Sequence, residues 1–328
     1  MRAMSNLEFR TIQRHERDAV LDLLREWFGD REFFARYFRN DPSFRDDLCF
    51  VAADSGRIVS TLQVFSKRVR VNGAILEVGG VGNVFTTQRY RERGVASALL
   101  TRAIKTMDEA GFDLSLLFAV RLLFYSRHGW RSHLRHLLFV DAADVDRSGP
   151  YAIAPFAASD LPAVMDIYEQ YSGGFNGPTV RDLTYWRGQL QYAGNPVEDF
   201  LVARAGSQIV AYMRGTPLYD FYQIIEHGCL PGHESALTQL FCRLHGTEGR
   251  ALPGTVTQLA IAPTVRQQLE AKGLSLRTIE DVFWMWQVIS PARVARKLGI
   301  SEADLAADDV FFRLFPPERS VYWAADRF

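Results

Sequence analysis

Cysteine is scarce in this sequence, and its spacing argues against two common kinds of structural site. The chain has 328 residues and three cysteines, Cys49, Cys229 and Cys242. Because the count is odd and the three positions are far apart, the sequence predicts neither a disulfide framework nor a cysteine metal site. We expect reduced thiols that pack in the core of a cytoplasmic protein.

Net charge and long apolar runs are also lacking. Lysine plus arginine number 38, as do aspartate plus glutamate, so no overall field attracts the molecule to nucleic acid or to an anionic membrane. No uninterrupted apolar run approaches the ~20 residues of a membrane span, and the first ten residues lack the apolar core of a signal peptide. We expect a cytoplasmic protein without nucleic-acid or membrane partners, in which any anion site is local.

What the sequence does contain is an ordinary globular composition, 48 % hydrophobic and 23 % charged, over a length that allows two cores. Two β-hairpins are predicted at residues 48–64 and 68–78. Each has a turn sequence between apolar arms, Asp54-Ser55-Gly56-Arg57 in the first and Asn72-Gly73 in the second. The second arm of the later hairpin leads into a further strand at residues 81–86, which predicts an antiparallel meander.

The most informative stretch is the turn from that strand into a helix. Apolar residues recur with helical spacing from residue 95 to residue 107. Three arginines crowd the turn, at Arg89, Arg91 and Arg93. Gly94 allows the backbone to approach a ligand closely, and the amides of Val95, Ala96 and Ser97 fall in the first helical turn, where they have no intrahelical acceptor. Such a helix end attracts phosphate.

The spacing Arg91-x-x-Gly94-x-Ala96 is weak evidence by itself, because a similar pattern arises by chance on the order of 0.3 times in a chain of this length. Its context strengthens it. A second buried strand is predicted at residues 114–119, and the run Phe124-Tyr125-Ser126-Arg127-His128-Gly129-Trp130 closes the unit.

This stretch resembles the GNAT (GCN5-related) N-acetyltransferases, whose cofactor motif is Gln/Arg-x-x-Gly-x-Gly/Ala. More narrowly it is similar to the tandem-GNAT, Eis-like subfamily, on the runs Gly79-Gly80-Val81-Gly82-Asn83-Val84, Tyr90-Arg91-Glu92-Arg93-Gly94, Leu116-Leu117-Phe118 and Phe124-Tyr125-x-x-x-Gly129-Trp130. The motif-bearing resemblance covers about residues 5–140.

The resemblance implies acetyl-CoA as co-substrate and no metal. The pantetheine arm and the thioester carbonyl would be held by the backbone of Val84, Phe85 and Thr86. The pyrophosphate would be held by Arg91, Arg93, Gly94, Val95, Ala96 and Ser97. One departure from the family pattern is Gln88, at a position where proline is common.

Two catalytic groups are also implied. Tyr125 lies at the position of the family's general acid, and a phenol with an ordinary pKa near 10 is protonated at neutral pH. His128 is a competing candidate. In the Eis-like enzymes the C-terminal carboxylate serves as general base, which would be the carboxylate of Phe328 here. The alternative is a terminal strand that only completes a sheet, with Asp326 or no base assisting.

The acceptor site is expected beside an aromatic helix at residues 31–40. Trp27, Phe33, Phe34 and Tyr37, with Asp30 and Glu32, would form an aromatic wall with acidic edges, which suits an amine that arrives as a cation. The other interpretation of this aromatic stripe is core packing, which is common for such stripes.

The second half of the chain resembles a diverged copy of the first, because residues 199–213 repeat the strand-turn-strand arrangement of residues 48–64. Its counterpart of the motif, at residues 227–237, lacks the glycine pattern, so we expect no CoA there. We predict an α/β (α+β) fold of two tandem GNAT-like domains, each a mixed, mostly antiparallel sheet flanked by helices, with a short C-terminal segment that returns to the active site. The predicted divisions are 1–148, 149–290 and 291–328.

The predicted function is transfer of an acetyl group from acetyl-CoA directly to a primary amine of an unidentified small-molecule or peptide acceptor. A non-catalytic acetyl-CoA sensor and a scaffold that has lost the cofactor are the alternatives. The intact Arg91, Gly94 and Ala96 disfavour the scaffold. A homo-oligomer is left open.

Overall fold

The computed structural model describes residues 7–192, 198–218, 220–245, 252–258 and 261–328. The strands, in chain order, are β1 (Leu7–Thr11), β2 (Cys49–Asp54), β3 (Arg57–Val71), β4 (Ala74–Thr86), β5 (Leu114–Phe118), β6 (Arg131–Ser132), β7 (Arg135–Asp141), β8 (Ala152–Pro155), β9 (Asp199–Ala205), β10 (Gln208–Leu218), β11 (Phe221–Cys229), β12 (Gly254–Gln258), β13 (Leu276–Asp281) and β14 (Trp284–Val288).

The α-helices are α1 (Arg17–Phe28), α2 (Arg31–Asn40), α3 (Val95–Glu109), α4 (Leu122–Ser126), α5 (Leu161–Ser172), α6 (Leu183–Tyr192), α7 (Glu234–Leu244), α8 (Pro263–Ala271), α9 (Pro291–Leu298), α10 (Glu302–Ala306) and α11 (Val310–Leu314). In the part of the chain that the structure describes, none of them is long and apolar enough to cross a membrane.

The described strands form two sheets with the same plan. The first has the order β1-β2-β3-β4-β5-β14-β6 and the second the order β13-β7-β12-β11-β10-β9-β8. In each sheet an antiparallel meander ends in one parallel pair, β4 with β5 and β11 with β12. A parallel pair needs a crossover connection, which α3 and α7 provide. The predicted fold, two mixed and mostly antiparallel sheets flanked by helices, is confirmed.

The two sheets exchange strands. β7 lies between β13 and β12 in the second sheet although it precedes the rest of that sheet in the chain. In return, β14 comes from the second half of the chain and pairs with β5 and β6 in the first sheet. The chain division near residue 149 stays a prediction, and these two strands cross it.

Local sequence explains the elements beside the site. The hairpin between β3 and β4 turns at Asn72 and Gly73, which both have positive φ angles, as a two-residue hairpin turn requires. Helix α2 begins after Asp30, whose carboxylate accepts hydrogen bonds from the amides of Glu32 and Phe33. It ends before Asp41, because the following proline disfavours helical geometry there.

Helices pack on both faces of the first sheet. Helix α3 buries residues such as Leu99 and Met107 against one face. On the other face, α1 and α2 cover β2, and the helices from α9 to α11 cover the end of the sheet that contains β5 and β14. The gap between these two groups of helices leaves part of β4 and β5 for the C-terminal segment.

Candidate functional site

The site begins where β4 and β5 separate. Their parallel pairing runs from Val78 with Leu114 to Val81 with Leu117, while β4 continues to Thr86. Just beyond Val81, Asn83 has a φ of 52°, and the register with β3 shifts at this position. This bulge bends β4, so the backbone of residues 84–86 borders a gap on the β5 side.

The turn after β4 forms a cradle for an anion. Glu92 and Gly94 have left-handed backbones, with φ of 60° and 78°, and the first helical hydrogen bond of α3 runs from the Ala98 amide to the Gly94 carbonyl. Among the described residues no side chain caps this helix. The amides of residues 95–97 are therefore available to a ligand, beside the positive end of the helix dipole.

Two of the arginines are tied to the turn itself. The Nε of Arg91 donates to the Thr86 carbonyl at 2.9 Å, and its guanidinium lies over the Phe85 ring at 5.4 Å. Arg93 lies over the ring of Tyr90 at 5.9 Å. Arg91 and Arg93 remain exposed, so their charge faces the solvent side of the cradle.

Tyr125 lies on α4, beside the same turn. Its ring packs edge-on against Phe124 at 4.9 Å and Trp130 at 6.3 Å. Burial raises the pKa of Tyr125 to about 12, so the phenol stays protonated throughout the neutral range. It can donate a proton but does not serve as a base there.

The side chain of His128 contacts the predicted phosphate-binding turn, and its backbone amide donates to the Tyr125 carbonyl at 2.9 Å. Its Nε2 lies 3.1 Å from the Ser97 hydroxyl, in the first turn of α3. Burial lowers the pKa of His128, so the imidazole is neutral at pH 7. This contact links the end of α4 to the predicted phosphate-binding turn, which fits a positioning role.

Phe328 lies against β4 in the gap. A Cβ atom built on Gly80 would overlap the Phe328 ring, and one built on Gly82 would lie 3.3 Å from the Phe328 backbone oxygen. The Phe328 ring also stacks on the Phe65 ring at 5.5 Å and lies tilted against the Phe118 ring at 5.3 Å. The structure therefore brings the last residue to the strand that leads into the cradle.

Asp326 lies in a buried, hydrogen-bonded environment close to the end of the C-terminal segment. It is fully buried, and its carboxylate accepts two hydrogen bonds from Arg181, at 3.0 and 2.8 Å, and one from Tyr185 at 3.1 Å. The alternative that Asp326 takes the proton stays a prediction, and these contacts join the C-terminal segment to Arg181 and Tyr185.

The aromatic stripe divides between surface and core. Trp27 is 52 % exposed and stacks on Phe85, and Phe33 is 36 % exposed. Tyr37 is half-buried, 4.7 Å from the Tyr192 ring. Phe34 is 2 % exposed, inside the core that α1 and α2 form with β2. The prediction that Phe34 lines an acceptor wall disagrees with this position, because the side chain points away from solvent.

The predicted acidic edges of that wall are engaged elsewhere. Asp30 caps α2, and Glu32 forms an ion pair with Arg39. They contribute local helix stability and leave the aromatic rings as the main candidates for acceptor contact.

Sequence reasoning missed two sets of residues that build this site. The first is Gly80 and Gly82, whose missing side chains make room for Phe328. Glycines inside a strand pattern indicate that another group packs closely against the strand backbone, so such a contact could have been predicted from the sequence. The second is the buried charged cluster around Asp326, which no local pattern indicates because its members are far apart in the chain.

The counterpart turn of the second sheet differs in charge. Helix α7 begins at Glu234, whose carboxylate accepts a hydrogen bond from the Gly232 amide at 3.3 Å. A carboxylate at this point repels a phosphate. The absence of CoA from the second half stays a prediction, and this geometry agrees with it.

A small cavity lies apart from these groups. It has a volume of about 30 Å³ at the junction of the two sheets, and its lining includes His133, Arg135, Gln258, Trp284 and Ser320. None of the predicted site residues, all of which lie in the described ranges, is part of that lining. The candidate site is therefore identified by the functional groups around the turn after β4 and not by the volume of a cavity.

Comparisons with known proteins agree on the fold. A family model described as an acetyltransferase (GNAT) domain matches residues 8–132. A GCN5-related N-acetyltransferase from Anabaena variabilis superposes with a TM-score of 0.67 at 14 % identity, over 89 % of this chain and 75 % of the other. Eis1 from Mycobacterium abscessus gives 0.60 at 15 % identity, over 89 % and 76 %.

A Saccharomyces cerevisiae N-myristoyltransferase, solved with bound myristoyl-CoA, gives a TM-score of 0.59 at 10 % identity, over 88 % of this chain and 83 % of the other. At these identities the solved structures establish a shared fold. No protein among curated sequences matches the chain significantly.

Proposed function

Because residues 8–132 match a family model described as an acetyltransferase (GNAT) domain, we propose that the protein transfers an acetyl group from acetyl-CoA to a primary amine. The observation that carries this proposal is the presence of three features along β4 and the turn and helices next to it. They are the uncapped start of α3, the protonated Tyr125 and the C-terminal Phe328. Direct acyl transfer needs an anion cradle, an acid and a base.

Acetyl-CoA would supply the activated acyl group. Its pyrophosphate would be held by the amides of residues 95–97 with Arg91 and Arg93, and its pantetheine arm by the backbone of residues 84–86. The yeast N-myristoyltransferase of similar fold has myristoyl-CoA bound, which supports an acyl-CoA as the ligand of this fold. No group of His, Cys, Asp and Glu side chains among the described residues is placed to hold a metal.

The chain's own residues would handle two protons. The carboxylate of Phe328 would accept the proton that the attacking amine loses, directly or through one water. The hydroxyl of Tyr125 would donate a proton to the departing sulfur and regain one from solvent. Backbone amides at residues 84–86 would hold the carbonyl oxygen while charge develops on it.

The acceptor would approach along the aromatic surface formed by Trp27, Phe33 and Tyr37. Exposed aromatic rings favour a cationic amine, so small amines and lysine-bearing peptides are the proposed acceptor classes. The three cysteines lie in the described ranges as buried thiols, which supports the proposed cytoplasmic location.

The deciding experiment adds a short tag after Phe328. We expect CoA affinity and thermal stability close to those of the untagged enzyme, and a kcat lower by on the order of 10², because the base is displaced. An N-terminal tag is the control, and the intact mass establishes that Phe328 carries the free carboxylate in the protein tested. Full kcat with the C-terminal tag would remove the carboxylate from the mechanism.

Enzyme and sensor are separated by a thiol-release assay with acetyl-CoA and a panel of amines. Calorimetric binding of CoA without thiol release for any amine would favour a sensor.

A further inference from the structure

A cluster of charged side chains is buried directly behind the C-terminal segment. We call Asp41, Lys67, Arg181, Tyr185 and Asp326 the clasp. The side chains of Asp41, Lys67, Arg181 and Asp326 are fully removed from solvent, although they come from widely separated parts of the chain. Burying ions is costly unless each one is paired and hydrogen-bonded, so the contacts of each member matter.

Asp326 is the centre of the clasp. Arg181 donates to both of its carboxylate oxygens, and Tyr185 and Gln189 donate to Oδ1 at 3.1 and 3.2 Å. Arg181 also donates to Glu226 at 2.6 Å. Two residues before Phe328, the C-terminal segment is therefore held by a planar contact through two hydrogen bonds. Such a contact fixes the orientation of the Asp326 carboxylate as well as its distance from Arg181.

The same clasp reaches the helix that carries the aromatic surface. The ammonium of Lys67 lies 2.8 Å from the Tyr185 hydroxyl and 3.2 Å from the carboxylate of Asp41. Asp41 directly follows the last residue of α2. A continuous chain of contacts thus runs from α2 through Lys67 and Tyr185 to Asp326.

Stability alone is a weak explanation for such a cluster, because apolar side chains of similar volume often stabilise a core as well as a buried ion pair does. Compared with apolar side chains, paired charged groups add a defined geometry between the segments that carry them. Here that arrangement joins the end of α2, which bears Tyr37, to the tail, which bears Phe328.

We propose that the clasp positions the Phe328 carboxylate relative to the acceptor surface on α2, with Asp326 and Arg181 as positioning residues and Tyr185 as the bridge between them and Lys67. This inference rests on the proposed function, in which that carboxylate takes the proton of the amine. A base displaced by about 1 Å loses on the order of 10² in rate.

The test compares Asp326→Asn with Asp160→Asn. Both replace a buried carboxylate that pairs with an arginine, but Asp160 pairs with Arg204 and accepts a hydrogen bond from the Ala157 amide just before α5, and neither partner belongs to the clasp. One readout is steady-state kinetics. The other is the rate at which a carboxypeptidase selective for aromatic residues releases Phe328, which reports tail position without any acyl transfer.

For Asp326→Asn we expect kcat to fall at least tenfold, the KM for acetyl-CoA to stay within twofold, and phenylalanine release to accelerate at least tenfold. Asp160→Asn should change none of these by more than twofold. Unchanged release from Asp326→Asn would overturn the clasp, and accelerated release with full kcat would overturn its role in positioning. An equal fall in kcat in Asp326→Asn and Asp160→Asn would overturn the proposal, because it would show that general destabilisation causes the loss.

Tyr185→Phe is the milder variant if Asp326→Asn does not fold. It removes one buried hydroxyl from the clasp, and Tyr222→Phe, whose hydroxyl donates to Asp199 at 2.7 Å, is its control. We expect a smaller fall in kcat with faster phenylalanine release for Tyr185→Phe alone, and equal behaviour of the two variants would refute the proposal. A wild-type protein that never releases thiol would refute the proposed function, while phenylalanine release would still decide the clasp.

Discussion

Phe33 and Phe34 are neighbours in the chain, but Phe33 is partly exposed and Phe34 is buried. Substitutions at the two positions can therefore distinguish acceptor binding from core packing. Phe34→Ala should cost about 3–5 kcal/mol of folding free energy, because it empties a buried site in the core of α1 and α2. Phe33→Ala should raise the KM for the amine with a small loss of stability, because the ring is partly exposed on the proposed acceptor surface. Thermal melts and kinetics of both variants measure this, and an unchanged KM in Phe33→Ala would exclude that surface.

His227 predicts a pH dependence of stability. Its ring is buried beside Trp323, burial lowers its pKa to about 3, and neither ring nitrogen has a hydrogen-bond partner among the described residues. Below pH 6.5 the unfolded chain binds a proton at this histidine and the folded chain does not, so stability falls as the pH falls through this range.

Between pH 7.5 and pH 5 this group should remove about 2 kcal/mol of stability. His227→Leu should be less sensitive to pH by that amount in denaturant titrations at the two pH values, and His15→Leu, at an exposed position, should match the wild type. Equal pH sensitivity of His227→Leu and wild type would show that His227 already binds its proton in the folded state.

At the scale of a single element, the two faces of β4 can be tested separately. A Cβ on Gly79 would overlap Met107 of α3, whereas a Cβ on Gly80 would overlap the Phe328 ring on the opposite face. Both alanine variants should lose about 1–3 kcal/mol through overpacking. Gly80→Ala alone should also lower kcat, because it moves the tail, and comparable kcat values in the two variants would argue against any role of Phe328 in the reaction.

Single elements were also the scale at which the sequence was most informative. The aromatic helix at residues 31–40 has the predicted bounds, because Asp30 and the Asp41-Pro42 pair define both ends chemically. Strand β3 runs unbroken through Arg57–Val71, where two separate hairpin arms were expected. Lys67 interrupts the apolar pattern, and only its tertiary partners Asp41 and Tyr185 explain a lysine buried in a strand.

The whole molecule should bind one CoA. The start of α3 is an uncapped anion cradle, while Glu234 places a carboxylate at the start of α7. Calorimetry on the intact chain should give a stoichiometry of one, and Gly94→Glu should abolish binding, because a carboxylate in the cradle repels pyrophosphate and a side chain is strained at a φ of 78°.

Gly111→Glu is the control for that variant. Gly111 has a φ of 88° with open space around it, just beyond the far end of α3, so backbone strain is matched and CoA affinity should persist. A stoichiometry of two would contradict the interpretation of the second half as a diverged copy.

Relations between distant segments were beyond sequence reasoning. The repeat of strand-turn-strand units at residues 48–64 and 199–213 predicted two similar sheets, yet β7 and β14 pair across the repeat. Both strands are short, and the periodicity of a short strand carries no signal that identifies its neighbours in a sheet. For the same reason, the contacts of Asp326 with Arg181 could not be derived from the ending of the chain.

The exchanged strands also determine how late in synthesis on the ribosome the first sheet can be completed. The outer edge of β5 pairs with β14, which begins only at Trp284. At roughly 5–20 residues per second, synthesis leaves the apolar edge of β5 uncovered for on the order of ten seconds after it emerges. During that interval the first half exposes a bare strand edge that can pair with other chains. A transcript that stops before Val288 therefore yields an aggregation-prone nascent chain rather than a working half-enzyme.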